Sequence, residues 1–251
     1  MNRHQYGLIA TWRRTAIGNP IAVIRHFRGQ SSGDALVFGA ARHLFRSELN
    51  SDAWKQACAE LDRSDFIPPA SSPPVGNTHG TSLGRWLYAL VRAMRPEVVV
   101  ETGVAHGASS WLILNALHKN GAGMLHSIDL PDRDTNAPYN VGRSRTGSAV
   151  PAELRDRWNL IVGDSAEELP RLLATLGRVQ LFFHDSDHSY DAMRREFSAV
   201  LPYLDQGGVL VSDDVQKNAA FIEICRQAWL RAYIFRKGGA ARLSAGSTIR
   251  P

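Results

Sequence analysis

The 251-residue sequence contains only two cysteines, Cys58 and Cys225, and they lie far apart. This scarcity excludes a disulfide-stapled fold and a cysteine-ligated zinc site, and it is typical of a protein from the reducing cytoplasm. Long apolar runs are also missing, because none reaches the roughly 18 residues that span a bilayer. The amino terminus lacks the apolar core and cleavage site of a secretory signal. We therefore expect a soluble, cytoplasmic protein.

Positive charge is concentrated near the amino terminus. Residues 1–46 contain seven arginines and a single acid, Asp34, for a net charge of +6, whereas the remaining residues sum to −1. Such a segment can attract nucleic acid, anionic lipid or an acidic ligand. No basic run interleaved with aromatic residues is present, so we expect no nucleic-acid partner. A solvated helical face, a peripheral membrane contact and docking on the core or on a second subunit stay open.

A proline-rich stretch divides the chain. Ile67–Val75 holds four prolines and two serines in nine residues, which cannot continue a helix. We therefore divide the chain into a basic helical extension with its linker, residues 1–75, and a main domain, residues 76–251. Helical patterns precede the linker at roughly Asp34–Arg46 and Asp52–Leu61, and Ser82–Met94 follows it as an amphipathic helix.

Strand and helix patterns alternate after residue 97. The predicted strands are Glu97–Glu101, Met124–Asp129, Trp158–Val162, Val179–Phe183 and Gly208–Ser212. The predicted helices are Ser109–Lys119, Ala166–Leu176 and Tyr190–Leu204. Trp229–Arg236 and Ala241–Ile249 flank Gly238 and Gly239 and indicate two further strands joined by a turn. This order predicts an α/β fold with a Rossmann-like, doubly wound sheet of seven strands, ending in an antiparallel strand pair.

The first of these strands leads into a glycine-containing turn. Val98–Val100 lacks polar alternation, as expected for a parallel strand that is covered on both faces. Gly103 suits the backbone of the turn, and Gly107 permits close passage of a ligand. The next helix directs unpaired N–H groups toward the same crevice. A polar, nucleoside-like ligand therefore fits the carboxyl end of this strand.

The spacing of this motif is E-x-G-x-x-x-G-x-S rather than the G-x-G-x-x-G of dinucleotide sites. It resembles the first motif of class I S-adenosylmethionine-dependent methyltransferases, whose fold also ends in an antiparallel pair. The resemblance implies that Glu101, Gly103, Gly107 and Ser109 line the methionine part of that cofactor.

Two later strand ends extend the resemblance. Asp129 lies 28 positions after Glu101, where the family has an acid that accepts hydrogen bonds from the ribose hydroxyls. Asp164 and Ser165 follow the third strand at the position that borders the adenine. The alternatives are a simple surface acid for Asp129 and a helix N-cap for Ser165.

Carboxylates follow the fourth and fifth predicted strands. Because neighbouring parallel strands end at one edge of the sheet, Asp185, Asp213 and Asp214 can converge. Three such groups repel one another unless they are protonated or share a cation. Oxygen ligands favour Mg²⁺ or Ca²⁺, with Mn²⁺ also suitable.

The segments Phe183–Tyr190 and Ser212–Val215 resemble the paired metal motifs of divalent-cation-dependent O-methyltransferases, including catechol and macrolide-sugar enzymes. The resemblance implies Asp185, Asp213 and Asp214 as metal ligands. Catechol enzymes have asparagine at the position of Asp214, so this chain is closer to the sugar-modifying branch.

The same resemblance places His188 where catechol enzymes have a lysine base, three residues after Asp185, which makes both residues candidates for catalysis. A neutral imidazole can accept a hydroxyl proton near pH 7. Asp187 or His184 could instead orient this histidine or take its role. Each histidine could also be a hydrogen-bonded scaffold residue.

The resemblance implies a metal-dependent transfer of a methyl group to a hydroxyl of a sugar, glycolipid or natural product. The polar segment Pro131–Ala152, which carries three arginines, has the length of a lid or binding loop. Relatives are often oligomers, so a homo-oligomer also stays open. Two alternatives stay open, namely a hydroxylase-associated protein and a non-catalytic cofactor-binding protein docked to a membrane or partner through residues 1–46.

Overall fold

The computed structural model describes residues 22–23, 45–63, 82–130, 146–234 and 238–243. Most of the basic segment, the proline-rich linker, residues 131–145 and the end of the last predicted strand lie outside these ranges. Within them, no helix combines the length and the apolar character needed to cross a membrane.

The strands and helices that were predicted after residue 97 occur in the predicted order. The strands are β1 (Ala22–Val23), β2 (Val98–Thr102), β3 (Met124–Asp129), β4 (Trp158–Val162), β5 (Val179–His184), β6 (Leu204–Ser212), β7 (Arg231–Ile234) and β8 (Gly239–Arg242). The α-helices are α1 (Arg46–Leu49), α2 (Asp52–Leu61), α3 (Ser82–Met94), α4 (Ala108–Asn120), α5 (Ser165–Leu176), α6 (Tyr190–Val200) and α7 (Ala220–Gln227). Two 3₁₀ helices cover Ala152–Arg157 and Leu201–Tyr203.

All eight strands form one sheet in the order β1-β7-β8-β6-β5-β2-β3-β4. Strands β2 to β6 are parallel, and β8 runs antiparallel to β6 and β7. This confirms the predicted seven-stranded, Rossmann-like core with its antiparallel pair. The short β1 adds a parallel strand beside β7, in a segment predicted to be helical. Strand order reverses between β2 and β5, where the carboxyl ends open a crevice for ligands.

Several predicted boundaries were wrong. The helix expected to reach Leu204 ends at Val200, because Pro202 lacks a backbone donor and sits in a 3₁₀ turn, and β6 begins already at Leu204. Strand β8 begins at Gly239 rather than Ala241. A Cβ on Gly239 would lie 2.6 Å from the Phe221 ring, so this glycine is part of a packed strand and not of the turn.

Helices cover both faces of the sheet, as the unalternating strands require. Val99 packs with α3 and α4 on one face, and the next residue, Val100, packs with α5, α6 and α7 on the other. Helix α2 packs against α3, and the Arg92 guanidinium on α3 donates a hydrogen bond to Glu60 at 3.2 Å. The described part of the amino-terminal extension therefore shares the core of the main domain.

Candidate active site

The turn after β2 touches the loop after β5. Gly103 has φ +85°, and its N–H donates to the Ile128 carbonyl at 2.9 Å. A Cβ at this position would lie only 2.1 Å from the Asp185 carbonyl oxygen. Gly107 also has a positive φ, +91°, and caps the start of α4. Glycine at position 103 thus lets the first motif lie directly against the loop that carries Asp185.

Glu101 lies beneath this turn and is fully buried. Its carboxylate accepts hydrogen bonds from the hydroxyls of Ser109 at 2.5 Å, Ser110 at 2.6 Å and Ser127 at 2.7 Å. Burial raises the pKa of Glu101, although the three hydroxyls act in the opposite direction. The side chain therefore joins the end of β2 to the start of α4 and to β3. Its predicted contact with a cofactor stays a prediction.

Asp129 ends β3 and faces the same turn. Its Oδ1 accepts from the Val104 N–H at 3.1 Å, and its Oδ2 accepts from the Thr146 hydroxyl at 3.3 Å. Thr146 lies in the long polar segment, where the sequence offers no signal for it. Each carboxylate oxygen has further lone pairs, so the group can still accept hydrogen bonds from a ligand.

The described end of the polar segment packs on the glycine turn. Gly147 donates its N–H to the Ala105 carbonyl at 2.8 Å, and Ala149 donates to the His106 carbonyl at 2.8 Å. Thr146–Val150 is mostly buried as a result. The long loop predicted over Pro131–Ala152 is therefore anchored at this end beside the candidate cofactor site.

Asp164 and Ser165 differ from the predicted alternative. The N-cap of α5 is Asp164, whose side chain accepts from the Ala166 N–H at 2.8 Å. Ser165 is the first helical residue, and its hydroxyl donates to Glu196 at 2.6 Å. The N-cap alternative for Ser165 was wrong by one position, because the aspartate takes that role.

A compact cluster lies at the ends of β5 and β6. Asp185, His188 and Asp213 each offer one ligand atom, and these atoms all lie within 4.8 Å of one another. Burial, and then the nearby Asp213 carboxylate, raise the pKa of Asp185 well above its ordinary value. Two carboxylates and an imidazole suit a divalent cation, which would relieve this repulsion. The residues present therefore fit the cation that the sequence predicts.

Asp214 stands apart from that cluster. It has φ +47°, accepts a hydrogen bond from Gln216 at 2.8 Å and forms an ion pair with Lys217 at 2.7 Å. Burial opposes its ionisation, but these two partners outweigh burial and lower the pKa of Asp214. The third predicted metal ligand is thus engaged by a cation of the protein itself.

His188 is held as a neutral imidazole. Burial, followed by the charges of His184 and Lys217, lowers the pKa of His188 to about 4. Its Nε2 lies 3.7 Å from Asp185 Oδ1 and, among the residues that the structure describes, it is buried without a hydrogen-bond partner. The atom is therefore available to accept a proton or to ligate a cation.

Glu196, which lies on α6 and is 1% exposed, was not among the predicted site residues. Its carboxylate accepts hydrogen bonds from Thr102 at 2.6 Å, Ser165 at 2.6 Å, Ser186 at 2.8 Å and His184 Nδ1 at 2.7 Å. Burial disfavours the charge, but the histidine and hydroxyl donors prevail and lower the pKa of Glu196. A single acid in an amphipathic helix gives no local signal for such a role.

Comparison with known proteins agrees with this geometry. Residues 100–215 match the family model described as a methyltransferase domain. A search of curated proteins returns no significant match. Among solved structures, the chain is similar to the O-methyltransferase TomG from Streptomyces achromogenes, in complex with SAM and involved in tomaymycin synthesis, at 19% identity and a TM-score of 0.50. That match covers 88% of this chain and 100% of TomG.

Two further structures are similar over most of the chain. Cofactor-bound Rv0187 from MTB is 18% identical with a TM-score of 0.51, and the match covers 86% of this chain and 99% of that one. The SAH-bound Podospora anserina methyltransferase PaMTH1 is 15% identical with a TM-score of 0.50, covering 88% and 100%. At these identities the similarity establishes the fold.

Proposed function

We propose that this chain transfers a methyl group from S-adenosylmethionine to a hydroxyl oxygen of a small molecule, because residues 100–215 match the family model described as a methyltransferase domain. One observation carries the proposal. The turn at Gly103, on the predicted cofactor side, touches the backbone of Asp185, whose side chain belongs to the Asp185–His188–Asp213 cluster. A methyl donor and an activated oxygen bound on either side of this contact would be neighbours.

The cofactor is assigned to the crevice beside β2, β3 and β4. Glu101, Gly103, Gly107 and Ser109 would surround the methionine part. Asp129 would receive the ribose hydroxyls, and Asp164 with Ser165 would border the adenine. SAM in the TomG structure and SAH in PaMTH1 support this class of ligand for the shared fold.

Asp185 and Asp213 would hold a divalent cation, Mg²⁺ or Mn²⁺, whose chemistry is to lower the pKa of an acceptor hydroxyl. Their carboxylates and the His188 imidazole already lie within one ligand-sized cluster. Asp214 can join them only by leaving its ion pair with Lys217. The proposed cation site thus has two carboxylate ligands, and Asp214 would become a third only after its ion pair with Lys217 opens.

His188 is the proposed base. Burial lowers the pKa of the ring and keeps the imidazole neutral, and Nε2 is buried at the cluster without a hydrogen-bond partner among the described residues. The acceptor oxygen would form its new bond to the methyl carbon as the carbon–sulfur bond breaks, and the hydroxyl proton would pass to Nε2 of His188. Asp185, whose Oδ1 lies 3.7 Å from Nε2 of His188, would orient the reacting hydroxyl. Proton transfer of this kind contributes about 10²- to 10⁴-fold to a rate.

A glycosyl compound or another natural product is the proposed acceptor. The support is the resemblance of the metal motifs to sugar-modifying enzymes and the part of TomG in tomaymycin synthesis. We also propose that arginines of the segment 131–145, which lies outside the described residues, contact an acidic or sugar-phosphate group. We place the proposed enzyme in the cytoplasm, as a possible homo-oligomer. Liposome co-sedimentation of the chain with and without residues 1–46 tests for a peripheral membrane contact through that segment.

Calorimetric titration tests the function. S-adenosylhomocysteine should bind the wild type, and Asp129→Asn should weaken the binding by about 10- to 100-fold, since a charge-assisted hydrogen bond is worth roughly 1.5–3 kcal/mol. Asp156→Asn is the matched control, because Asp156 is an exposed carboxylate on the 3₁₀ helix before β4. Transfer of labelled methyl groups to a panel of glycosyl acceptors should then require a divalent cation. Absence of cofactor binding to the wild type would remove the proposal.

A further inference from the structure

The four hydrogen bonds to Glu196 come from both sides of the candidate active site. Thr102 ends β2 and Ser165 starts α5, so these donors belong to the predicted cofactor side. His184 ends β5 and Ser186 lies in the loop after it, so these donors belong to the cluster side. One buried carboxylate thus joins three strand ends that the chain places far apart in sequence.

His184 brings this carboxylate close to the proposed base. Its Nδ1 is 2.7 Å from Glu196, which leaves Nε2 buried and, in the part of the chain that the structure describes, without a hydrogen-bond partner. The His184 ring packs edge-on against His188, with centroids 5.3 Å apart. A shift of Glu196 would therefore move the surface against which His188 rests.

The donors require an ionised carboxylate rather than any polar group of similar size. Three hydroxyls and an imidazole N–H all point to two oxygens at 2.6–2.8 Å, which is the range of charge-assisted bonds. A glutamine has one acceptor oxygen, and its amide N–H₂ would face two of the donors. Such a change leaves buried donors without acceptors on both sides.

We propose that Glu196 is a positioning residue that fixes the cofactor side, Thr102 and Ser165, relative to the cluster side, His184 and Ser186, so that cofactor and divalent cation bind cooperatively. The proposal rests on the proposed function, because it requires that both ligands bind. Bound cofactor would order Ser165 and, through Glu196, would favour the arrangement of Ser186 and His184 in which the neighbouring cluster binds the cation. By thermodynamic linkage, the cation would favour cofactor binding by the same factor.

The test measures S-adenosylhomocysteine binding to the full chain by calorimetry, with and without saturating Mn²⁺. In the wild type we expect Mn²⁺ to tighten binding about fivefold or more. In Glu196→Gln this factor should fall to about one. Ser186→Ala removes a single donor on the cluster side and keeps the carboxylate. It should reduce the factor even if Glu196→Gln does not fold.

Glu223→Gln is the matched control. This carboxylate lies on α7 and accepts hydrogen bonds from two residues of α6, Tyr190 at 2.6 Å and Arg194 at 3.2 Å, rather than from any donor of Glu196. Glu223→Gln should keep the wild-type coupling between cofactor and cation. Glu196→Asp keeps a carboxylate on a shorter side chain, so it should retain at most part of this coupling. Binding of both ligands to the wild type without coupling, or coupling that survives in Glu196→Gln and Ser186→Ala, would overturn the positioning role alone. A wild type that binds neither ligand would overturn the proposed function as well.

Discussion

Replacing Gly103 by alanine tests whether the contact between the two loops holds the site together. The residue has φ +85°, and its new Cβ would lie 2.1 Å from the Asp185 carbonyl oxygen and 2.7 Å from the Ser186 nitrogen. Real Cβ atoms essentially never approach another atom closer than 3.0 Å. The turn at Gly103 and the loop at Asp185 must therefore move apart by roughly 0.9 Å, the difference between 3.0 and 2.1 Å. Both neighbours are backbone atoms and cannot rotate away as a side chain would.

The cost has two parts that a second variant separates. Placing an L-residue in the left-handed region costs about 1–2 kcal/mol, and forcing atoms into a packed site costs about 1–3 kcal/mol more. Gly121 has φ +71° but nothing within 4 Å of its Cβ position. Gly121→Ala therefore carries the first part alone. We expect Gly103→Ala to lose roughly 3 kcal/mol of unfolding free energy and Gly121→Ala about 1.

Urea unfolding would measure the two stabilities, and calorimetry with methyl-transfer assays would measure function. Gly103→Ala should reduce kcat/KM by about 100-fold, since a displacement near 1 Å at a reacting centre can cost that much. Gly121→Ala should bind S-adenosylhomocysteine as the wild type does. Equal stability losses in the two variants, or unchanged activity in Gly103→Ala, would refute the role assigned to this contact.

Three further variants test the cluster. Folding raises the pKa of Asp185, so ionisation of this carboxyl group destabilises the cation-free protein as the pH rises above the ordinary pKa of aspartate. In thermal melts, Asp185→Asn should therefore raise the Tm at pH 7 without cation. The same variant should lose the further rise in Tm that Mn²⁺ causes in the wild type. His188→Gln should lower kcat by about 10²-fold or more while S-adenosylhomocysteine affinity stays within about twofold. Burial lowers the pKa of His188 to about 4, so the contribution of this histidine to stability is complete above about pH 6.5 and is lost as the pH falls toward 4. The loss of stability at acid pH should therefore be smaller in His188→Gln. Lys217→Met should release Asp214 from its ion pair and tighten Mn²⁺ binding by about tenfold, measured by calorimetry. Unchanged Mn²⁺ affinity would contradict the proposal that Asp214 can become a third metal ligand.

The sheet was predictable because its signals are local. Helices Asp52–Leu61 and Ser82–Met94 have the predicted bounds, since amphipathic spacing and a serine N-cap act within one or two turns. The run Val98–Val100 is buried on both faces for the reason its composition suggests. The start of β8 at Gly239 was missed, because only the Phe221 ring above it explains a glycine in a strand.

The site was predictable in outline only. Parallel strands end at one edge, so the meeting of Asp185 and Asp213 follows from topology. The ion pair of Asp214 with Lys217 is a choice between two partners that spacing does not decide. Glu196 was invisible for a related reason, since its donors come from segments up to 94 positions away.

By itself, the sequence determined which segments become strands and which polar residues stand at their carboxyl ends, because backbone geometry and periodicity act over a few residues. Only the tertiary structure decided how those polar residues are paired. A buried charge takes whatever donors the packed chain brings within hydrogen-bond distance, and that choice depends on contacts between distant segments. Thus Glu101 is occupied by three serines and His188 is left with an unpartnered nitrogen at the cluster, among the residues described.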